Sequence, residues 1–516
     1  MEAADSTPPS DLPVLPSISQ LDLARSSLRR ELVPALGFAG TQQHLTHDIA
    51  PALNGNSQSS RYYGFVTGGA TPAAVFADKM VTDYDQNVQV HLPNETVATD
   101  VEAAALDLVC QLAELDPKEW THRTFTTGAT SSNINGLACG REYVISTAAA
   151  RNNTKADVSS LGLMAAMRVA GIDDIQILTS APHSSLRKAA SVLGLGHDSV
   201  KDVSDPTAPH RLDLEALENA LQSPRAASII AISCSEVNSG LFATTGKDMV
   251  QLRRLADEYG AWLHVDAAFG LLARILPSDE PAYAQLKEGV ESLQLADSIA
   301  ADAHKLFNVP YDCGILLSRH LDVGTAVFQN PGAPYLNAAA GSVPSPLNIG
   351  IENSRRFRAL PVYANLVAYG RSGFVNMLEN QIALARGIAS YINSSSAYKL
   401  LPEAESGPMD PLSRVFIIVL FKAINSELND TLVKKINATR KIYVSGTNST
   451  GKITTNLYTS NTERKKCHFF SRPCELLSFA EAVRQPPSDD SQILLDAGLQ
   501  IGYSESTCRL PCMFSA

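Results

Sequence analysis

Four kinds of side chain in this sequence could act together on one small molecule. The first is an amine, Lys305, set in Ala301-Asp302-Ala303-His304-Lys305-Leu306-Phe307 beside a histidine and among small and apolar residues. Burial disfavours the charged form of an amine, and a neutral amine can attack a carbonyl to form a Schiff base. The second is an acid, Asp266, which ends the apolar run Ala261-Trp262-Leu263-His264-Val265. The third is the turn Thr127-Gly128-Ala129-Thr130-Ser131-Ser132-Asn133, which precedes a helical stretch at residues 134–144. Its backbone N–H groups, hydroxyls and helix dipole suit a phosphate, yet it is neither a P-loop nor GxGxxG, which disfavours a nucleotide. The fourth is His183, in Ala181-Pro182-His183-Ser184-Ser185, an imidazole able to stack on a flat ring. Taken singly, each has a plain use: a loop lysine reaching for solvent, a strand-end cap, a helix cap, a core histidine.

What gathers them is an alternation of elements. Strand patterns at residues 124–126, 175–178, 227–232, 261–266, 298–301 and 315–317 are interleaved with helical patterns at 184–193 and 247–259. Val101, Leu108, Leu112 and Leu115 mark the apolar face of an earlier helix, stopped by Asp116-Pro117. Alternation of this kind predicts an α/β fold with a mainly parallel sheet, whose ligands bind at the carboxyl ends of the strands. Thr127, Asp266 and Lys305 all fall just past such ends. Before this region, residues 1–90 form an N-terminal segment with a helix at about 19–36. The large domain is expected over 91–360. Residues 320–350 hold a Gly/Pro/Ala-rich loop with Tyr335, and a helical connector carries Arg355, Arg356 and Arg358. A smaller α+β domain follows over 361–460, with strands at 415–421 and 441–444. Beyond Thr447 the periodicity fades, and 461–516 read as an irregular tail.

Composition narrows the partners. A length of 516 residues allows two or three domains, and 45% hydrophobic residues can fill large cores. The net charge of -11, with no basic stripe, argues for a soluble protein and against nucleic acid. No apolar run approaches the roughly 18 residues that cross a bilayer, and the polar Pro/Ser-rich start is no signal peptide. The expectation is a cytoplasmic protein without a membrane partner. The eight cysteines contain no CxxC pair, so no metal site is expected and reduced thiols are the default.

A phosphate cradle, an acid, a histidine and an amine in one cleft are together accounted for by pyridoxal 5'-phosphate. At this point the chain resembles the group II pyridoxal-phosphate-dependent amino-acid decarboxylases, which include aromatic-L-amino-acid, tyrosine and glutamate decarboxylases. The likeness runs from about Arg61 to about Thr447. It is carried by Gly64-Phe65-Val66-Thr67-Gly68-Gly69-Ala70-Thr71-Pro72, the Thr127 to Asn133 turn, His183-Ser184-Ser185 and Glu236-Val237-Asn238-Ser239-Gly240. Asp85-Gln86-Asn87-Val88, His264-Val265-Asp266-Ala267-Ala268, Asp302-Ala303-His304-Lys305, Arg355-Arg356-Phe357-Arg358-Ala359-Leu360 and Tyr443-Val444-Ser445-Gly446-Thr447 complete it.

The resemblance implies a fold-type I enzyme, PLP-dependent transferase-like, forming a homodimer around which the N-terminal segment wraps. It implies that Lys305 carries the cofactor, Asp266 holds the pyridine nitrogen, Ala268 packs under the ring and His183 stacks on it. His304, also a catalytic candidate, would contact the phosphate or the surroundings of the Schiff base. Gly128, Ala129, Thr130 and Ser131 would bind the phosphate, with Asn133 supporting that turn. Tyr335 would return a proton to carbon after carbon dioxide leaves, which favours an amine over an aldehyde product. The implied reaction is decarboxylation of an L-amino acid, aromatic by preference. The alternatives are aldehyde synthesis, a carbon–carbon lyase, or an inactive relative. Departures from the family pattern are Leu306 in place of a frequent Trp, Asp302 in place of Asn, and an unfamiliar continuation after Thr447.

Overall fold

A computed structural model of the chain describes residues 14–31, 35–66, 68–330, 343–403, 410–449 and 452–458. Among them, twelve strands build two sheets: Tyr62–Tyr63 (β1), His122–Thr126 (β2), Asp174–Thr179 (β3), Val200–Asp202 (β4), Ala226–Ser233 (β5), Trp262–Asp266 (β6), Ser298–Asp302 (β7), Gly314–Ser318 (β8), Tyr398–Leu401 (β9), Ile418–Ala423 (β10), Tyr443–Ser449 (β11) and Lys452–Tyr458 (β12). The larger sheet runs β2-β8-β7-β6-β5-β3-β4. Its pairings are parallel except at β8, which is antiparallel to both β7 and β2. The fold is α/β with a mainly parallel central sheet. A parallel strand is covered on both faces, so Ile229, Ile230, Ala231 and Ile232 of β5 form one continuous buried apolar run.

The helices that precede and flank this sheet include Ile18–Ser27 (α1), Gly37–His44 (α2), Pro72–Tyr84 (α3), Ala98–Leu112 (α4) and Ala129–Arg151 (α5). Helix α5 crosses the sheet closely at Gly136, where a Cβ would stand 2.6 Å from the His264 ring. A long helix, Ala359–Ser394, breaks its helical backbone at Gly370 and reaches the smaller sheet, ordered β1-β11-β12-β10-β9. That sheet and the helix Ser426–Ala438 enclose a second apolar cluster that includes Ile388, Ile392, Phe421, Leu432 and Val444.

Several elements differ from the sequence expectation. Helix α5 begins at Ala129 rather than 134, so most of the hydroxyl-rich turn is itself helix. Gly128, at φ 153, swings the chain straight from strand into helix, and a distant carboxylate takes the first N–H. Helix α4 ends at Leu112, short of Asp116-Pro117, because Glu114 turns to φ 57. Helix α1 stops at Ser27 instead of running to residue 36. The arginine connector is not helical: Arg355 lies buried, donating to the Val88 and Phe125 carbonyls and pairing with Glu102, and the helix starts only at Ala359. Beyond Thr447 the chain does not lose order at once, since β12 pairs with both β10 and β11. Residues 461–516 and Tyr335 lie outside the described residues. Among the described residues, no helix is long and apolar enough to cross a membrane.

Candidate active site

The chemistry-bearing residues meet at the carboxyl ends of β5, β6 and β7. Lys305 follows β7 by one turn, and its Nζ lies 2.7 Å from Asp302 Oδ2 and 3.9 Å from the centre of the Phe269 ring. Three contacts fix that turn. Gly68 packs so tightly on it that a Cβ would stand 1.9 Å from the Lys305 carbonyl oxygen. Asn308 donates its amide to the Gly68 carbonyl and its backbone N–H to the Lys305 carbonyl at 3.2 Å. Asn365, from the long helix, donates to the Phe307 and Asn308 carbonyls at 2.8 and 3.2 Å.

Asp302 ties the lysine to helix α5. It is 4% exposed, and its Oδ1 accepts the Ala129 N–H at 2.6 Å. His304 Nε2 is 3.6 Å from the same oxygen, while His304 Nδ1 accepts the Cys313 N–H at 3.3 Å. Burial lowers the pKa of His304 from the ordinary histidine value, the nearby Asp302 opposing the shift, so the ring is held neutral.

Asp266 closes the opposite wall. Its Oδ2 accepts Asn133 Nδ2 at 2.9 Å and its Oδ1 accepts the Ala268 N–H at 3.2 Å. Only 7% of it is exposed, and among the described residues no cation pairs with it. His183 caps the helix Ser184–Val192, its Nδ1 accepting the Ser185 N–H.

These groups line a cavity of about 260 Å³. Of the residues singled out in the sequence, Gly128, Ala129, Thr130, Ser131, His183, Asp266, Ala268, His304 and Lys305 are on its wall. Asn133 is fully buried behind Asp266 instead of facing the cavity. The sequence alone gives no role to Phe269, Ser233, Ser235 and Val237, which also line it, nor to Asp302, which it marks within a matching stretch as a departure from the family pattern. Phe269 directly follows Ala268, and Ser235 and Val237 flank the Glu236 turn, so adjacency to the motifs is the signal that points to them.

The donor set fits pyridoxal 5'-phosphate. Asp302 takes the Ala129 N–H and the N-cap residue Gly128 has no side chain to cap the rest, so the first-turn N–H groups of Thr130 and Ser131 are left to an anion. A buried carboxylate without a cationic partner is costly, and a protonated pyridine nitrogen would supply that partner. An amine stands in the same cavity, ready for an aldehyde.

Comparison with known proteins agrees. The pattern of the pyridoxal-dependent decarboxylase conserved domain matches residues 43–409. The chain therefore belongs to the pyridoxal-dependent decarboxylases, a class of PLP-dependent carboxy-lyases, and its cofactor is pyridoxal 5'-phosphate. It is 27% identical to an L-2,4-diaminobutyrate decarboxylase of Acinetobacter baumannii over 58% of this chain and 55% of that protein. It is 26% identical to tyrosine decarboxylase 2 of Arabidopsis thaliana over 77% of this chain and 69% of that one. The chain thus spans between about half and two thirds of the length of these relatives. In three dimensions it is similar to Oryza sativa TDC solved with PLP and tryptamine, with a TM-score of 0.72 and 19% identity over 92% of this chain and 94% of the other, a likeness of fold.

Proposed function

We propose that this protein decarboxylates an L-amino acid, an aromatic one by preference, releasing the amine and carbon dioxide. The observation that carries the reading is the single cavity shared by Lys305, the carboxylate Asp266, which has no cationic partner among the described residues, and the N-terminus of α5. When bound, pyridoxal 5'-phosphate supplies an aldehyde that captures amines and a ring that accepts the electrons of a breaking bond.

The chain's own groups would do the rest. Thr130 and Ser131, with Gly128 and Ala129, hold the phosphate by backbone N–H groups and hydroxyls at the helix dipole. Asp266 keeps a proton on the ring nitrogen, Ala268 supports one face of the ring and His183 covers the other. Lys305 would hold the cofactor through Nζ, the amine in the cavity placed to meet its aldehyde. His304, neutral, lies beside the phosphate end. Tyr335 donates the proton that replaces the carboxylate on carbon. Water excluded from the cavity strengthens each of these charge interactions.

The reading extends to a homodimer in the cytoplasm. Exposed apolar side chains on the first helices, Ile18, Leu23 and Phe38, suit burial against a second copy, and the four described cysteines are free and buried. Similarity to the diaminobutyrate decarboxylase favours a second substrate class, an acyclic diamino acid. The test is carbon dioxide release from a panel holding L-tyrosine, L-tryptophan, L-DOPA and L-2,4-diaminobutyrate, with amine, aldehyde and peroxide assayed together. Amine from an aromatic substrate supports the proposal. Aldehyde with peroxide, or turnover of diaminobutyrate alone, replaces it. No turnover by a protein that holds the cofactor refutes it.

A further inference from the structure

We propose that one buried chain of hydrogen bonds sets both the aim of Asp266 and the position of the ring proton on His183, with Asn133 and Ser185 as positioning residues. The inference rests on the reading of His183 and Asp266 as cofactor contacts, and it adds how the two are held together.

The proton positions follow from donors and acceptors taken one at a time. Asp266 as a carboxylate only accepts, so the atom of Asn133 that lies 2.9 Å from its Oδ2 is the amide nitrogen. The other end of that amide, Oδ1, therefore faces His264 Nε2 at 2.9 Å, and Nε2 carries the hydrogen. His264 is completely buried, and burial brings its pKa down to about 4 against the pull of Asp266, so the ring is neutral and its Nδ1 accepts. The donor to Nδ1 is the Ser298 hydroxyl at 2.7 Å, which itself accepts the indole N–H of Trp262 at 2.9 Å. Every atom on this side of Asn133 has one consistent role.

The same holds on the other side. Asn133 Nδ2 has a second hydrogen, which goes to Ser185 Oγ at 2.9 Å. The Ser185 hydroxyl then donates to His183 Nδ1 at 2.6 Å, and the Ser185 backbone N–H approaches the same nitrogen at 3.2 Å. Nδ1 is an acceptor twice over, so the ring proton of His183 sits on Nε2. Moving it to Nδ1 would set that N–H against the Ser185 backbone N–H, turn the Ser185 hydroxyl from donor to acceptor and release the cap of the helix Ser184–Val192. His183 consequently offers the cavity a hydrogen-bond donor, and Asp266 cannot rotate without releasing the Asn133 amide that also orients Ser185. Asn133, Ser185, Ser298, His264 and Trp262 are each 3% exposed or less, so no water competes for these partners.

The experiment is nitrogen NMR of the full chain labelled with ¹⁵N-histidine, recorded without cofactor, with His183 assigned by its loss in His183→Gln. The wild type should show His183 as the Nε2–H tautomer alone. Ser185→Ala should add an Nδ1–H population and weaken pyridoxal 5'-phosphate binding about fivefold, the worth of one neutral hydrogen bond. Ser184→Ala, at the exposed neighbour, should leave both readouts unchanged. An Nδ1–H or mixed wild type overturns the proposal, as does a Ser185→Ala spectrum identical to it. Should Ser185→Ala not fold, the wild-type tautomer decides by itself. Because the tautomer is read without cofactor, a protein that binds none refutes the decarboxylase reading while leaving this test intact.

Discussion

Replacing Gly68 by alanine puts a carbon where the Lys305 carbonyl already is. The new Cβ would stand 1.9 Å from that oxygen and 2.7 Å from the His304 carbonyl, whereas real Cβ contacts stop near 3.0 Å, so the turn must withdraw by about 1 Å. Relief from the other side is restricted, because Gly68 is buried and its own carbonyl is bonded to Asn308 in the same turn. Overpacking of this kind costs about 1–3 kcal/mol, out of a total stability on the order of 5–15 kcal/mol. The variant should therefore fold, with a melting temperature a few degrees lower. Displacing a reacting amine by about 1 Å is far more damaging to chemistry, on the order of 100-fold. The expected result is a drop of about 100-fold in kcat/KM and slow borohydride-fixed labelling of Lys305, in a protein whose circular dichroism is native. Gly350→Ala is the control, since its Cβ would meet nothing closer than 3.4 Å. A Gly68→Ala enzyme with wild-type turnover and labelling would refute the claim that this contact places the lysine.

Three further outcomes are expected. Lys305→Ala should abolish covalent fixing of the cofactor by borohydride, read by mass spectrometry, while leaving Asp302 held by the Ala129 N–H. Asp266→Asn should keep the size of the side chain but lose the charge and one of its two acceptors, weakening cofactor binding by roughly 10- to 100-fold in a dialysis titration, as for a lost charged hydrogen bond of about 1.5–3 kcal/mol. Stability should fall with acid because of His264. Its folded pKa of about 4 is below the unfolded value of about 6.5, so between these pH values the unfolded chain binds the extra proton. No penalty exists above about pH 6.5, and a few kcal/mol accrue by pH 4. Denaturant melts at pH 7.5 and pH 5 should show it, and His264→Gln should reduce the difference, leaving the share of His210, which burial also brings down to about 4.

The larger sheet is readable in the sequence because its strands are buried on both faces, and an unbroken apolar, Ile-rich run such as Ile229 to Ile232 suits a covered strand far better than a helix face or a loop. Asp266 and Lys305 were legible for a related reason: each is a charged residue that interrupts an apolar pattern at a strand end. The start of α5 was not legible. Its cap is shared between Gly128 and Asp302, and that partnership exists only in three dimensions. The staple formed by Gly68, Asn308 and Asn365 is hidden likewise, since its members are scattered along the chain. The Arg355 stretch reads as a helix by composition, yet a buried guanidinium follows its carboxylate and carbonyl partners rather than local propensity.

Strand β12 has a consequence for how the polypeptide is made. It lies between β11 and β10, so the last strand in sequence among the described residues is an inner member of the smaller sheet. A nascent chain halted before residue 452 would hold β10 and β11 with open ladders facing each other and nothing to join them. β1, near the start, meets its partner β11 only when residue 443 has emerged. Open strand edges recruit other chains, so ribosome-bound intermediates expose this sheet until synthesis passes residue 458. A proteolytic or splicing event that removes these few residues does not trim a border. It splits the sheet in two.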